Sequence, residues 1–135
     1  MEYKLELVVV PVSDVDRSKA FYAEQCGFNV DLDTGERNGM RVVQLTPSGS
    51  ACSITIGKGL IDSEPGSLKG MQLVVVDINA AHEDLSSRGV DVSAVRHMSD
   101  AGSWEDGKGG PWNSFIFFHD PDGNAWTVQE RPAET

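Results

Sequence analysis

The sequence predicts an α+β fold made of two tandem βαβββ modules, and three repeated features carry that prediction. An apolar, strand-like run ending in Asp occurs twice, as Leu7-Val8-Val9-Val10-Pro11-Val12-Ser13-Asp14 and as Gly70-Met71-Gln72-Leu73-Val74-Val75-Val76-Asp77. Each run leads into a helical stretch that closes on a glycine, Gly27 before Phe28 and Gly89 before Val90. A Pro-x-Gly turn then separates two apolar runs in each half, at Pro47–Gly49 and at Pro121–Gly123. The two Asp residues stand 63 positions apart and the two glycines 62, so the copies keep register to within one residue. A repeat of this kind constrains the architecture more than any single element does.

The elements follow in order. The first apolar run gives a strand near 4–12, and Asp14 can cap a helix near 15–26 by accepting the backbone N–H groups of its first turn. Gly27 ends that helix because glycine takes the left-handed conformation without Cβ strain. Strands near 27–34 and 39–47 come next. Pro47 presets φ and Gly49 takes positive φ, so a turn leads to a strand near 50–57. Residues 58–68, with Gly59, Pro65 and Gly66, form a linker between modules at about 1–57 and 69–131 of one domain. The second copy repeats the plan with strands near 69–76, 90–97, 114–119 and 125–130 and a helix near 78–88. Residues 98–113 interrupt it as a long irregular loop that carries Trp104, Pro111 and Trp112, and loops of that length are usually functional.

Composition narrows the function classes. A chain of 135 residues, 39% hydrophobic and 24% charged, is long enough for one globular domain with its own core. Its net charge of −10 repels nucleic acid and anionic membranes. No apolar run reaches the ~20 residues of a membrane span, and the first residues lack a basic segment followed by an apolar one, so a cytoplasmic location is expected. Cys26 and Cys52 match no metal-ligand spacing and are expected to be reduced, buried small hydrophobes. No Gly-x-Gly-x-x-Gly, Gly-x-x-x-x-Gly-Lys or Gly-x-Ser-x-Gly motif is present. Gly107-Lys108-Gly109-Gly110 precedes a proline and a strand rather than a helix N-terminus. A nucleotide cofactor is therefore unsupported, and no cofactor is expected.

Two segments carry a family resemblance. Val12-Ser13-Asp14-Val15-Asp16-Arg17-Ser18-Lys19-Ala20-Phe21-Tyr22 opens the first copy, and Asp120-Pro121-Asp122-Gly123-Asn124 precedes the last strand. On the doubled βαβββ unit, these resemble the vicinal oxygen chelate superfamily, which groups glyoxalases, bleomycin resistance proteins and extradiol dioxygenases. The resemblance covers nearly the whole chain. It implies curved mixed sheets forming an incomplete barrel around a ligand cavity, and a homodimer, in some members with each site built from two chains. Metalloenzymes of that family hold one divalent metal on His, Gln or Glu at four symmetric strand positions. Carried onto this chain, those positions are Leu7, Ser53, Gly70 and Thr127. Leu and Gly offer no side-chain donor, and neutral hydroxyls are weak ligands for zinc, nickel or iron. A one-residue slip would bring in Glu6 or Ile54 but on the opposite face of the sheet. His82, His97, His119 and Glu130 do not restore the set, so no metal is expected.

Residues in phase with the four positions should face the concave side. They are Leu5, Leu7, Val9 and Pro11; Ala51, Ser53 and Thr55; Gln72, Val74 and Val76; Ala125, Thr127 and Gln129. The lining is apolar with scattered hydroxyl and amide groups and holds no general base, which suits orienting an organic molecule. The alternative is that some of these strands pack a dry core. Trp104, Trp112, Phe115 and Phe117 offer aromatic faces for a planar ligand or a cation, although two phenylalanines in phase on a strand are more often core than site. Asp100, Glu105 and Asp106 flank the loop tryptophans and would make an acidic mouth.

The expected ligand-binding residues are therefore Leu7, Val9, Ser53, Thr55, Gln72, Trp104, Trp112, Phe115, Phe117, Thr127 and Gln129, with no catalytic residue identified. The leading expectation is a metal-independent protein that binds a hydrophobic or aromatic small molecule. It is similar to the bleomycin resistance branch, which sequesters antibiotics without chemistry. Two other readings stay open: an enzyme of the same superfamily (a glyoxalase-like lyase, isomerase or dioxygenase) using groups such as Gln72, Gln129 or His97, and an interaction module whose cavity is filled by its own side chains.

Overall fold

The computed structural model describes residues 1–133. The chain is α+β, and the described residues form two open mixed sheets, of four and five strands. They belong to two compact units: Met1–Leu68 together with Asp120–Asn124, and Lys69–His119 together with the residues from Ala125 onward.

In the first unit, β1 (Leu7–Val9) leads to α1 (Val15–Ala20), followed by β2 (Asn29–Asp33), β3 (Arg41–Thr46) and β4 (Ser53–Lys58). The sheet order is β1-β4-β3-β2, with β1 parallel to β4 and the other pairs antiparallel. Asp14 caps α1 as expected, its Oδ1 accepting from Arg17 N at 3.1 Å. The helix is shorter than predicted. After Ala20 it widens into a π-helical turn, Phe21–Gln25, closed by Cys26 N donating to Phe21 O at 2.9 Å. That turn buries two adjacent aromatics: Phe21 meets Tyr22 edge-on at 5.2 Å, and Tyr22 stacks on Phe28 at 5.7 Å. β1 is also shorter than the predicted 4–12. Residues 1–6 are exposed, and the ladder continues only through Ser53 N to Glu6 O and Val10 N to Thr55 O. Pro11 has no N–H to carry it further.

The turn Asp120–Asn124 is part of this first unit. The buried Asp120 carboxylate accepts from Tyr22 Oη at 2.7 Å, Asn124 N at 2.9 Å, Asn124 Nδ2 at 2.7 Å and Asp122 N at 3.0 Å. Asn124 Nδ2 also donates to Pro11 O at 2.8 Å, and Asp122 accepts from Ser13 N at 3.1 Å. The two segments that carry the family resemblance are thus in direct contact.

In the second unit, β5 (Met71–Val75) and α2 (Ile78–Ser87) precede β6 (Arg96–Met98), β7 (Trp104–Asp106), β8 (Phe115–His119) and β9 (Ala125–Glu130). The sheet order is β5-β9-β8-β6-β7. Asp77 caps α2 by accepting from Ala80 N at 3.0 Å. The helix packs on β8 and β9, where Ile78 and Leu85 join Ile116, Phe118, Trp126 and Val128 in the core. Burying such side chains stabilises by roughly 1.5–3 kcal/mol each.

Three expectations are corrected. The strand predicted at 90–97 is confined to Arg96–Met98, because Ser93 takes over the pairing upstream: its N donates to Phe117 O at 2.9 Å and its Oγ accepts from Phe117 N at 3.0 Å. The stretch 98–113 is not wholly irregular, since Trp104–Asp106 folds back on β6 with Met98 opposite Trp104 and Arg96 opposite Asp106. Cys26 and Cys52 are half-buried, outside any disulfide, rather than fully buried side chains.

Candidate functional site

Alternation along the strands of the second unit separates a packed face from an open one. Ile116, Phe118, Trp126 and Val128 go to the α2 side. Phe115, Phe117, Thr127 and Gln129 therefore point the other way and stay half-buried, while Gln72 and Val74 are exposed on β5. The register aligns them in rows: Gln72–Thr127–Phe117 is one, and Val74–Gln129–Phe115 is the next. Trp104, from β7, sets its indole edge-on against both phenylalanines, at 5.3 Å from Phe115 and 5.2 Å from Phe117, with interplanar angles of 81° and 79°. The two phenyl rings are nearly parallel, 6.3 Å apart at 10°. Trp104 keeps 46% of its surface exposed, so the cluster presents an aromatic platform to solvent.

The polar side of the same face is a chain of amides. Gln129 Nε2 donates to the backbone carbonyl of Trp112 at 2.8 Å, and Gln129 Oε1 accepts from Gln72 Nε2 at 2.7 Å. Trp112 occupies the left-handed region, at φ 65°, with its indole 52% exposed. A bulky residue there costs about 1–3 kcal/mol, and such strain persists only where neighbours over-determine it. They do so here. Asn113 exchanges hydrogen bonds with Met98 N and O, both 2.9 Å, Gly109 N donates to Asn113 O at 3.1 Å, and Lys108 pairs with Glu130 at 3.0 Å. Gly109 is itself required, since a Cβ would stand 2.4 Å from Asn113 O.

The first unit holds the other predicted residues as a separate group. Leu7 lies opposite Ser53, and Val9 opposite Thr55, on one face of that sheet. Ser53 and Thr55 are buried rather than open, 6% and 5% exposed. Ser53 Oγ is engaged by Thr46 Oγ1 at 2.6 Å and Gln44 Nε2 at 3.3 Å, and Thr55 Oγ1 has no hydrogen-bond partner among the described residues. Gln44 and Thr46 were not singled out from the sequence, although the period-two pattern of β3 places them in phase. Leu5 is exposed ahead of β1 and Ala51 is exposed in the turn before β4, whereas Pro11 is buried.

The first unit also contains a pocket of about 520 Å³, lined by Pro11, Asp14, Asp16, Arg41, Lys58 and Leu60 among others. Of the predicted site residues only Val9 lines it. Its cations are paired: Arg41 reaches Asp33 at 2.8 Å and Asp16 at 2.8 Å, and Lys58 pairs with Glu36 at 2.9 Å. The guanidinium of Arg41 and the ammonium of Lys19 hold the Asp33 carboxyl well below the usual carboxylate range. This pocket lacks the aromatic surface of the β8 face.

The residues present do not fit the family's metal. Gly70, at φ 89°, brings no side chain, and Leu7, Ser53 and Thr127 bring no strong donor. Among the described residues, no three His, Cys, Asp or Glu side chains come together in a way that could hold an ion. His97 Nδ1 is 2.9 Å from Gly107 O, and its Nε2 is 3.9 Å from Glu105. Nor is any described helix long and apolar enough to cross a membrane.

The family model described as the glyoxalase/bleomycin resistance protein/dioxygenase superfamily matches residues 4–128. The antibiotic-binding protein TnmS3 from Streptomyces sp. CB03234 is 31% identical, with 98% of each chain covered and a TM-score of 0.76. A glyoxalase/bleomycin resistance protein from the same organism is 32% identical over 94% of this chain and 100% of its own, with a TM-score of 0.73. A superfamily member from Sphaerobacter thermophilus is 26% identical over 96% and 98%, with a TM-score of 0.75. Among curated proteins none matches.

Proposed function

The chain belongs to the glyoxalase/bleomycin resistance protein/dioxygenase superfamily, and on that premise we propose that it binds a hydrophobic, aromatic small molecule without a metal and sequesters it. The observation that carries this reading is the platform of Trp104, Phe115 and Phe117 on an uncovered sheet face, bordered by the amides of Gln72 and Gln129. Aromatic surface supplies most of the affinity in such a site, and a few polar groups set the orientation. The antibiotic-binding relative supports the choice of an antibiotic or similar natural product as the ligand. The carboxylate that strand register puts beside Trp104 on this face, Asp106, is 87% exposed and paired with Arg96 at 3.6 Å, so it stays solvated, which favours binding over catalysis.

In this reading Leu7, Val9, Ser53 and Thr55 contribute a second, more enclosed patch, and the working species is a cytoplasmic homodimer. The exposed Val74 on β5, the edge strand of its sheet, and the exposed Val76 just beyond it support self-association, because an edge strand invites a partner. The test is a thermal-shift screen of planar natural products, followed by quenching of tryptophan fluorescence. A true ligand at a hundredfold excess over its Kd stabilises the fold by about 2.7 kcal/mol and is recovered unchanged. Trp104→Ala should weaken binding at least tenfold. Stoichiometric uptake of Ni, Zn, Mn or Fe(II), or turnover of the ligand, would overturn the proposal.

A further inference from the structure

The amide chain across the open face has a direction, and the direction predicts what the face selects. Its fixed end is the carbonyl of Trp112, an acceptor held by a left-handed backbone. Only the NH2 of Gln129 can face it, since the side-chain oxygen would set two acceptors against each other. Gln129 is thereby obliged to offer its oxygen to Gln72, and Gln72 to answer with its own NH2 at 2.7 Å. What remains at the outer end is Gln72 Oε1, an acceptor on an exposed side chain of the edge strand.

We infer that Gln72 Oε1 is a specificity-determining acceptor, which selects, among flat aromatic ligands, those carrying a hydroxyl or N–H donor on a ring edge. This rests on the proposed binding at the aromatic face. Gln72, Thr127 and Phe117 lie in one row across neighbouring strands. With strands about 4.8 Å apart, the Gln72 and Phe117 backbones stand roughly 10 Å apart. A fused system of two or three rings, laid on Phe117 with one edge against the nearly perpendicular Trp104 indole, spans that interval and brings its far edge to Gln72. Thr127, between them, is too short to compete for the same edge. An aromatic ligand without an edge donor would cover the amide oxygen and leave it unpaired, which costs affinity.

The experiment compares 2-naphthol with 2-methoxynaphthalene, equal in ring area and differing in the donor, by tryptophan quenching and calorimetry on the full chain. Wild type should prefer 2-naphthol by about fivefold or more. Gln72→Leu should bring the ratio close to one by weakening 2-naphthol alone. Gln129→Leu, which removes the orienting partner, should give an intermediate ratio. Trp104→Ala should weaken both probes equally. If wild type binds both probes alike, or if the preference survives in Gln72→Leu, the acceptor assignment falls while the aromatic face stands. If neither probe binds, the proposed function falls with it. Should Gln72→Leu fail to fold, Gln72→Ala is read in its place.

Discussion

Trp112 and Asp33 show how single residues are held in states that ordinary chain would not choose. At φ 65°, Trp112 carries strain that a glycine would not, and its indole contributes exposed surface rather than core packing. Trp112→Gly should therefore raise thermal stability by about 1 kcal/mol and weaken binding of an aromatic probe, a pairing expected where function holds strain in place. A lower melting temperature with unchanged affinity would refute it. For Asp33, the carboxyl is depressed in the fold first by Arg41 and then by Lys19. A depressed carboxyl stabilises the fold at pH values above its unfolded pKa of ~3.9, and that stabilisation is lost as pH falls toward the folded value. The stability gap between wild type and Asp33→Asn should thus be open at pH 7 and narrow below about pH 4. Denaturant melts across that range would measure it, and a gap that widens in acid would contradict the assignment.

At the scale of elements, the 120–124 turn is the best-determined piece of the fold. Tyr22 reaches the buried Asp120 at 2.7 Å, from the π-helical turn that follows α1. Tyr22→Phe leaves the ring packing in place and removes one donor to a carboxylate, so it should cost about 1.5–3 kcal/mol in urea melts; a loss under 0.5 kcal/mol would mean that the contact is solvated. Both Asp caps, both helix-ending glycines and this turn were legible because each depends on a local residue type. The π turn was not, since it reflects how Phe21, Tyr22 and Phe28 pack rather than any local preference. β7 was hidden for a different reason. Trp104, Glu105 and Asp106 are all exposed, so no alternation marks them, and their pairing is set by register with Arg96, His97 and Met98. The site shows the same division. Period-two phasing placed Gln72, Thr127 and Gln129 on one strand face and Phe115 and Phe117 beside them, yet it could not foresee that Trp104 would join the phenylalanines or that Ser53 and Thr55 would be buried.

For the molecule as a whole, net charge bears on the proposed ligand binding and on the proposed self-association. A net charge of −10 sets up a field that attracts cations and repels a second copy of the chain. Salt shortens the range of that field from about 30 Å at 0.01 M to about 10 Å at 0.1 M. Self-association should therefore strengthen as salt rises from 0.01 to 0.2 M, which sedimentation velocity would follow. Affinity for a neutral plane such as 2-naphthol should stay within twofold over the same range, because stacking and one hydrogen bond to a neutral amide involve no net charge. A planar cation such as proflavine should instead lose affinity steadily, by threefold or more. Fluorescence titrations at matched ionic strengths would separate the two. If the neutral probe showed the salt dependence of the cation, the acidic residues around Trp104, Glu105 and Asp106 among them, would be contact groups of the site, and the aromatic platform would not be the main source of affinity.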